Sequence, residues 1–236
     1  MFHAGATFAI DRPLSSAADP GRTIASTAQS CRPISGWRGS VKRVIDITIA
    51  LLLLAVAAVP MLVAALAIRL DSPGPVLFRQ RRIGLGNASF EMVKLRTMHH
   101  HGTDHGRLRQ TTRRDPRVTR VGAILRHASL DELPQLLNVL RGDMSIVGPR
   151  PHAPGTCAGG KPFETVTPHY AARHRVRPGM TGLAQVRGWR GETDTEEKLL
   201  RRVEADLDYI DNWSLWLDFV IMARTAVSLR AMRNAY

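Results

Sequence analysis

The chain has 236 residues, of which 44% are hydrophobic and 22% charged, and its formal net charge is +13. That length holds one good-sized domain or a domain with an anchor, and the hydrophobic content excludes wholesale disorder. The basic excess calls for an anionic partner (nucleic acid, anionic lipid or a phosphorylated substrate), and two cysteines, Cys31 and Cys157, exclude a disulfide framework and fit a reducing, cytosol-facing location.

Residues 1 to about 40 are rich in Ala, Ser, Gly, Thr and Pro without periodicity, and read as a disordered tail. The apolar run starts too late for a cleaved signal peptide, and no A-x-A site follows it. Ile47 to Ile68 carries no charge. About 20 apolar residues suffice to cross a bilayer, so one spanning helix is the plain reading. Two features favour a re-entrant helix–break–helix instead. Pro60 lacks an N–H and its ring meets the carbonyl of Val56, which should kink or break the helix. The arms on either side would rise about 20 Å and about 12 Å, and neither alone crosses about 30 Å of hydrocarbon. Arg38, Lys42 and Arg43 precede the run, while Arg69, Arg79, Arg81 and Arg82 follow it. Both ends on the cytoplasmic side satisfies the positive-inside rule. Prolines do occur in spanning helices, so both forms stand on these grounds.

Pro75 to Arg82 and Ala88 to Leu95 read as a β-hairpin around Gly84-Leu85-Gly86-Asn87. Gly84-x-Gly86 is no dinucleotide fingerprint, because no helix with a third glycine follows. His99, His100, His101 and His105 cluster in a polar, Arg-rich stretch. A solvated loop fits better than a metal site, since no further ligand pair lies at metal spacing. Glu132 to Arg141 has a helical period, with Asp131 placed at the N-cap, Pro134 at the third position and Gly142 as C-cap. Met144 to Val147 reads as a short strand, and Arg177 to Val186 as a loop. Glu196 to Ile210 is a charged amphipathic helix capped by Asp194 or Thr195. Trp213 to Met232 is a second helix, with Arg224, Arg230 and Arg233 at its end. It either packs on the core or lies in the headgroup plane.

The most informative feature is the pair Asp131-Glu132. An N-cap and a favourable first-turn charge account for such a pair structurally. The same placement keeps a carboxylate ionised and fixed in direction. Two adjacent carboxylates can hold Mg²⁺, which takes few protein oxygens and shares the rest with phosphates and water. An ionised Asp can also attack phosphorus. Arg150, stiffened between Pro149 and Pro151, offers a planar guanidinium suited to a diphosphate. Lys94, Arg96, Arg117, Arg120 and Arg126 add positive charge nearby in sequence.

From about Val41 to its C-terminus the chain resembles the monotopic polyprenyl-phosphate glycosyl-1-phosphate transferases, the bacterial sugar transferases of exopolysaccharide synthesis. The resemblance rests on linked motifs in order. They are Lys42-Arg43-x-x-Asp46, Ser72-Pro73-Gly74-Pro75-Val76-x-Phe78-x-Gln80 with Arg82 and Gly84, and Lys94-Leu95-Arg96-Thr97-Met98. Asp115 to Gly122 and Ser129-Leu130-Asp131-Glu132-Leu133-Pro134-Gln135 follow. Gly142 to Pro151 and Pro178-Gly179-x-Thr181-Gly182-x-Ala184-Gln185 complete the set. Within the family, His152-Ala153, Arg190 to Asp194, Tyr209 to Trp216 and the terminal Asn234-Ala235-Tyr236 look like the branch using UDP-glucose. A galactose-specific relative stays open. Leu183 departs from the pattern, standing where such proteins often carry Trp. Larger members add an N-terminal multi-helix membrane region and a further domain, so the likeness is to the compact catalytic form.

The resemblance implies an α+β, mainly helical fold with a re-entrant membrane hairpin, a small β-hairpin and interfacial amphipathic helices. The implied domains are a tail (1–40), a membrane anchor (41–70) and a cytosolic catalytic domain (71–236). It implies that Asp131 attacks the β-phosphorus of a UDP-hexose, that UMP leaves, and that undecaprenyl phosphate then takes the phospho-sugar from Asp131. Mg²⁺ would sit near Asp131 and Glu132. Arg150 is the first candidate for gripping phosphate, followed by Lys94, Arg96, Arg117 and Gln185. Membrane lipids are expected partners at the cytoplasmic face of the bacterial inner membrane, and self-association stays open. No helix-turn-helix, zinc finger or aromatic RNA-binding signature is present, so nucleic acid is not expected. Two rivals remain: a non-catalytic basic membrane-anchored binding protein, and a glycosyltransferase that releases UDP.

Overall fold

The computed structural model describes residues 34–99 and 115–231. Cys31, His100, His101, His105, Arg233 and the terminal Asn234-Ala235-Tyr236 lie outside the described residues. The architecture is mainly helical, with three small two-stranded sheets.

Helix α1 spans Gly36–Asp71 and is the one described helix long and apolar enough to cross a membrane. Its Leu, Ala, Val and Ile run carries no glycine, and Pro73-Gly74-Pro75 lies just beyond its end. Two sequence expectations shift here. The helix starts within what reads as tail, and it passes through Pro60 without a gap. A proline removes one N–H, and the hydrogen bonds on either side carry the helix past it. Its surface is inverted relative to a helix in water. Ala50, Ala57 and Ala64 are buried, while Leu51, Leu52, Leu53, Val56, Val59, Leu62 and Val63 are exposed. A continuous exposed apolar surface of that kind suits lipid rather than water.

Both ends of α1 are built into the same folded unit. Near the start, Arg43 donates to the carbonyls of Val139 and Leu140 at 2.6 and 2.9 Å. Asp46 accepts from the amide of Ile146 at 3.1 Å. Lys42 pairs with Asp218 at 2.7 Å, and Ala50 sits in the main core. At the far end, Ala64 and Ile68 pack with Leu95 and Leu125, and Asp71 accepts from the amide of Val121 at 3.2 Å.

Strands β1 (Leu77–Ile83) and β2 (Ser89–Leu95) form the expected antiparallel hairpin, pairing Leu77 with Leu95 and Ile83 with Ser89. Helix α2 (Arg120–His127) is capped by the Thr119 side chain, which accepts from Gly122. Helix α3 covers Gln135–Arg141. It therefore begins three residues later than the periodicity suggests, and Asp131 is not its N-cap. Leu130–Glu132 instead forms a separate 3₁₀ turn. Gly142 ends α3 with φ of 95°, as its composition predicts.

Strand β3 (Ser145–Val147) pairs in parallel with β6 (Gly179–Thr181). The segment read as a loop thus contributes a strand and then a short helix, α5 (Leu183–Val186). Glycine makes this pairing fit: a Cβ on Gly179 would stand 2.1 Å from the amide nitrogen of Gly148. Strands β4 (Cys157–Ala158) and β5 (Lys161–Pro162) make a small hairpin ahead of helix α4 (Phe163–Val166). Helix α6 (Glu196–Asp211) is capped by Thr195, and α7 spans Leu215–Ala231.

The main core gathers Ala50, Met92, Leu136, Val139, Met144, Ile146, Val147, Leu183, Tyr209 and Ile221. Leu183, the departure from the family pattern, is therefore a core residue. Asp218, 5% exposed, ties α1 to α7. Beyond Lys42 it accepts from Tyr209 Oη at 2.8 Å and Trp213 Nε1 at 3.1 Å. Replacing Asp218 with Ala would leave Lys42 charged and buried without its partner. The expected loss is about 3–5 kcal/mol of stability, read by denaturation in detergent. A loss below about 1 kcal/mol would show that Asp46 alone suffices for Lys42.

Candidate active site

Asp131 and Glu132 lie on the tight turn between α2 and α3. The residue before it, Ser129, has φ of 56° and ψ of 20°, a left-handed conformation that non-glycine residues rarely adopt. Its hydroxyl accepts from Arg190 Nη2 at 3.0 Å. This strained corner turns the two carboxylates into different surroundings.

Glu132 is gripped by cations. Oε1 accepts from Lys94 Nζ at 2.8 Å and Arg150 Nη2 at 2.6 Å, while Oε2 accepts from Arg150 Nη1 at 3.3 Å. Arg190 stands 3.8 Å from Oε2. Burial alone would raise the Glu132 carboxyl, but Arg150 and Lys94 outweigh it and hold the group well below its usual value. Lys94 is lowered from the ordinary lysine range by burial, against the pull of Glu132.

Asp131 is 8% exposed, and among the described residues no group donates a hydrogen bond to its carboxylate. Burial raises its carboxyl; Lys94 opposes that, the Glu132 charge adds to it, and Arg126 and Arg150 oppose it. The result is a carboxylate without a hydrogen-bond donor among the described residues, beside several positive charges and one engaged carboxylate. Mg²⁺ fits Asp131, whose oxygens accept no described donor, together with substrate phosphates and water. It fits Glu132 less well, because both oxygens of that carboxylate already face guanidinium or ammonium groups. Among the described residues no cluster of three or more His, Cys, Asp or Glu forms a fuller metal site.

The remaining sequence candidates divide. Lys94 and Arg150 converge on Glu132. Arg96 does not join them: it is 5% exposed and donates to the carbonyls of Ile68, Ser72 and Pro73, which caps the end of α1. Arg117 makes a two-pronged pair with Asp115 at 2.9 and 2.6 Å. Gln185 donates to the Met180 carbonyl at 3.1 Å. Arg190 and Arg82 belong to the site and were not chosen from sequence. Arg190 lies far along the chain from Glu132, and no periodicity links them. Burial lowers Arg82 to about 10, with Arg150 adding to the effect and Glu132 opposing it.

The turn that carries Arg150 is held carbonyl by carbonyl. Pro149 O accepts from Gly179 N at 2.9 Å and Arg150 O from Arg173 Nη2 at 2.8 Å. Pro151 O accepts from Arg82 Nη1 at 3.3 Å, and His152 O from Ile83 N at 3.0 Å. His152 sits behind this turn, 5% exposed. Its ring stacks on His174 with centroids 5.5 Å apart, lies edge-on to Tyr170 at 5.1 Å, and its Nε2 is 3.0 Å from Glu164. His174 in turn bonds Asn87. His152 thus packs against Phe163 and Tyr170, which belong to a second hydrophobic cluster with Ala158, Leu199 and Val203.

A family model described as bacterial sugar transferase matches residues 37–231. The chain is 58% identical over 197 residues to a UDP-glucose:undecaprenyl-phosphate glucose-1-phosphate transferase of Caulobacter vibrioides, covering 83% of this chain and 72% of that protein. A protein of the same name from Escherichia coli is 47% identical over 204 residues, covering 86% of this chain and 43% of the relative. An Aeromonas hydrophila protein named UDP-N-acetylgalactosamine-undecaprenyl-phosphate N-acetylgalactosaminephosphotransferase is 42% identical over 186 residues, covering 78% and 42%. The chain thus spans most of the Caulobacter protein and less than half of the other two.

The buried histidines make the fold acid-sensitive. Burial pushes His152 and His174 down to about 4, with Arg173 adding to the effect and Glu164 opposing it. The folded state therefore binds fewer protons than the unfolded state. The stability this provides is full above about 6.5 and drains as pH falls toward about 4. The thermal midpoint should drop between about pH 7 and about pH 5. It should drop less in the double variant His152→Asn, His174→Asn, and equal drops in the two proteins would place the acid sensitivity elsewhere.

Proposed function

Because the chain belongs to the bacterial sugar transferase family, we propose that it transfers hexose 1-phosphate from a UDP-hexose to undecaprenyl phosphate and releases UMP. This would be the first membrane step of exopolysaccharide synthesis, with UDP-glucose as the first candidate donor, as the names of the Caulobacter and Escherichia coli relatives suggest. The name of the Aeromonas relative keeps a different hexose in view. The observation that carries the reading is the buried Asp131 carboxylate, which accepts no hydrogen bond from a described residue, beside a Glu132 that Lys94 and Arg150 hold.

The chemistry follows from that difference. An Asp131 carboxylate oxygen attacks the β-phosphorus of the sugar nucleotide. The bond from that phosphorus to the bridging oxygen breaks, and UMP leaves with the electron pair. The hexose phosphate remains as an acyl phosphate on Asp131. A phosphate oxygen of undecaprenyl phosphate then attacks the same phosphorus, and the Asp131 carboxylate departs, giving undecaprenyl-diphospho-hexose. No proton has to move in either displacement. Glu132 acts as the resting counter-ion of Arg150 and Lys94. An arriving diphosphate offers the same guanidinium fork a second pair of oxygens, so Arg150 can pass from carboxylate to phosphate with its charge paired throughout. Arg190 and Arg126 stand near enough to add to the field. Bound Mg²⁺ would supply further charge neutralisation at the diphosphate.

The anchor reading completes the picture. Lys42, Arg43 and Asp46 at one end of α1 and Ile68 and Asp71 at the other all contact one folded unit. The stretch between Asp46 and Ile68 that exposes large apolar residues, 51–66, rises only about 24 Å, short of about 30 Å of hydrocarbon. That supports a re-entrant anchor with both ends at the cytoplasmic face of the inner membrane. Helix α7 buries Ile221 and exposes Trp216, Phe219 and Val227. This division suits a helix that packs on the core while touching the headgroup plane.

Purified protein in nanodiscs with UDP-glucose, Mg²⁺ and undecaprenyl phosphate should release UMP only when the lipid phosphate is present. Asp131→Asn should abolish release while the fold is kept. Release of UDP instead would establish an ordinary glycosyltransferase, and no nucleotide from any UDP-sugar would leave a non-catalytic binding protein. Single cysteines at both termini should react with impermeant reagents only from the cytosolic side. Protection of the N-terminal one alone would sink the re-entrant anchor.

A further inference from the structure

The two arginines that face Glu132 sit on backbone with no regular secondary structure to hold it, so something else must aim them. Behind the site lies a buried cluster that the reaction itself does not use. Arg173 is 2% exposed and Asp206, on α6, 1%. Arg173 Nη2 stands 2.5 Å from Asp206 Oδ2 and also donates to the carbonyl of Arg150 at 2.8 Å. Its Nη1 donates to the Tyr170 hydroxyl at 2.8 Å. One turn earlier on α6, Arg202 donates to the carbonyl of Gly191 at 2.7 Å, the residue after Arg190. Asp206 pairs with Arg173 and lies one turn from Arg202 on the same helix.

A buried ion pair gives the fold little that well-packed apolar side chains of the same volume would not. What apolar residues could not supply is a planar guanidinium that holds a carboxylate, a hydroxyl and a chosen carbonyl at once. Arg173 does this for the carbonyl of Arg150, and Arg202 donates to the carbonyl of the neighbour of Arg190. We propose that the Asp206–Arg173 pair, together with Arg202 one turn away on α6, is a positioning centre that sets the backbones of Arg150 and Arg190 for the diphosphate of the donor. The three are positioning residues, since each acts through another group. The assignment rests on the transferase reading and adds to it a reason for the buried charges of α6.

The test uses the full chain in nanodiscs and measures the thermal midpoint together with kcat and KM for the UDP-sugar. In Arg173→Lys the ammonium can still pair with Asp206, but a single nitrogen on a flexible stem lacks the planar guanidinium that holds Asp206, the Tyr170 hydroxyl and the Arg150 carbonyl in one fixed arrangement. The expected result is a midpoint within a few degrees of wild type, a raised KM, and kcat/KM lower by about tenfold to a hundredfold. The double variant Arg173→Met, Asp206→Leu replaces the pair with apolar volume and should be equally slow while folded. Wild-type kinetics in either folded variant would overturn the proposal. So would unfolding of both, which would make the pair an element of the core rather than a positioning device. A folded wild type that releases no UMP from any UDP-sugar would instead sink the transferase reading, and this inference with it.

Discussion

The structure depends on a turn whose carbonyls are all held. Gly148 approaches β6 so closely that neither it nor Gly179 has room for a side chain. Beyond it, four successive carbonyls, from Pro149 to His152, each meet a donor from another part of the chain, two of them from β1. Two prolines in this stretch remove two amides, so the turn cannot hold itself by a ladder of its own. Its shape is imposed from outside, by β6, by the strand of the hairpin and by a buried guanidinium. Arg150 projects from that fixed frame and meets Glu132 with both prongs. The strained Ser129 corner supplies the opposite side of the site.

The anchor and the catalytic unit are not separable pieces. The first arm of α1 supplies Ala50 to the main core and Lys42 to a buried carboxylate on α7. The second arm supplies Ile68 to a smaller core under α2, and its terminal carbonyls are capped by Arg96. A lipid-facing segment joined so tightly to the domain fixes the depth and tilt of the domain at the membrane. A short linker would leave both free. On the proposed reaction between a nucleotide sugar and a lipid phosphate, that fixed height would let one carboxylate serve both substrates.

Charge is used in two distinct ways. Around Glu132 the cations are partly exposed, and on the proposed reaction they would exchange carboxylate for phosphate. Beside Asp206, Arg173 is buried and its hydrogen bonds go to the carbonyl of Arg150, the Tyr170 hydroxyl and that carboxylate, so it holds positions rather than ligands. Burial decides between these uses, because a guanidinium out of reach of solvent cannot change partners without leaving a charge unpaired.

The local elements were legible from sequence. The hairpin, the α6 helix with its Thr195 cap, and the Gly142 stop follow from period, β-propensity and backbone chirality, which act over a few residues. Asp131, Glu132 and Arg150 stood out in the sequence as local facts, an adjacent carboxylate pair and a proline-stiffened guanidinium, and the structure brings Arg150 onto Glu132. Three things were not legible. The helix after Glu132 starts late, because the turn that presents the carboxylates replaces its first residues. Arg96 and Arg117 lie in suggestive motifs but face a helix end and a neighbouring aspartate. Arg190, Arg82 and the Arg173–Asp206 pair enter the account only through contacts between distant parts of the chain. The sequence by itself determined which residue types were available and which short elements they form. The tertiary structure decided which cation meets which carboxylate, because pairing depends on distance and burial, and neither is set by spacing along the chain.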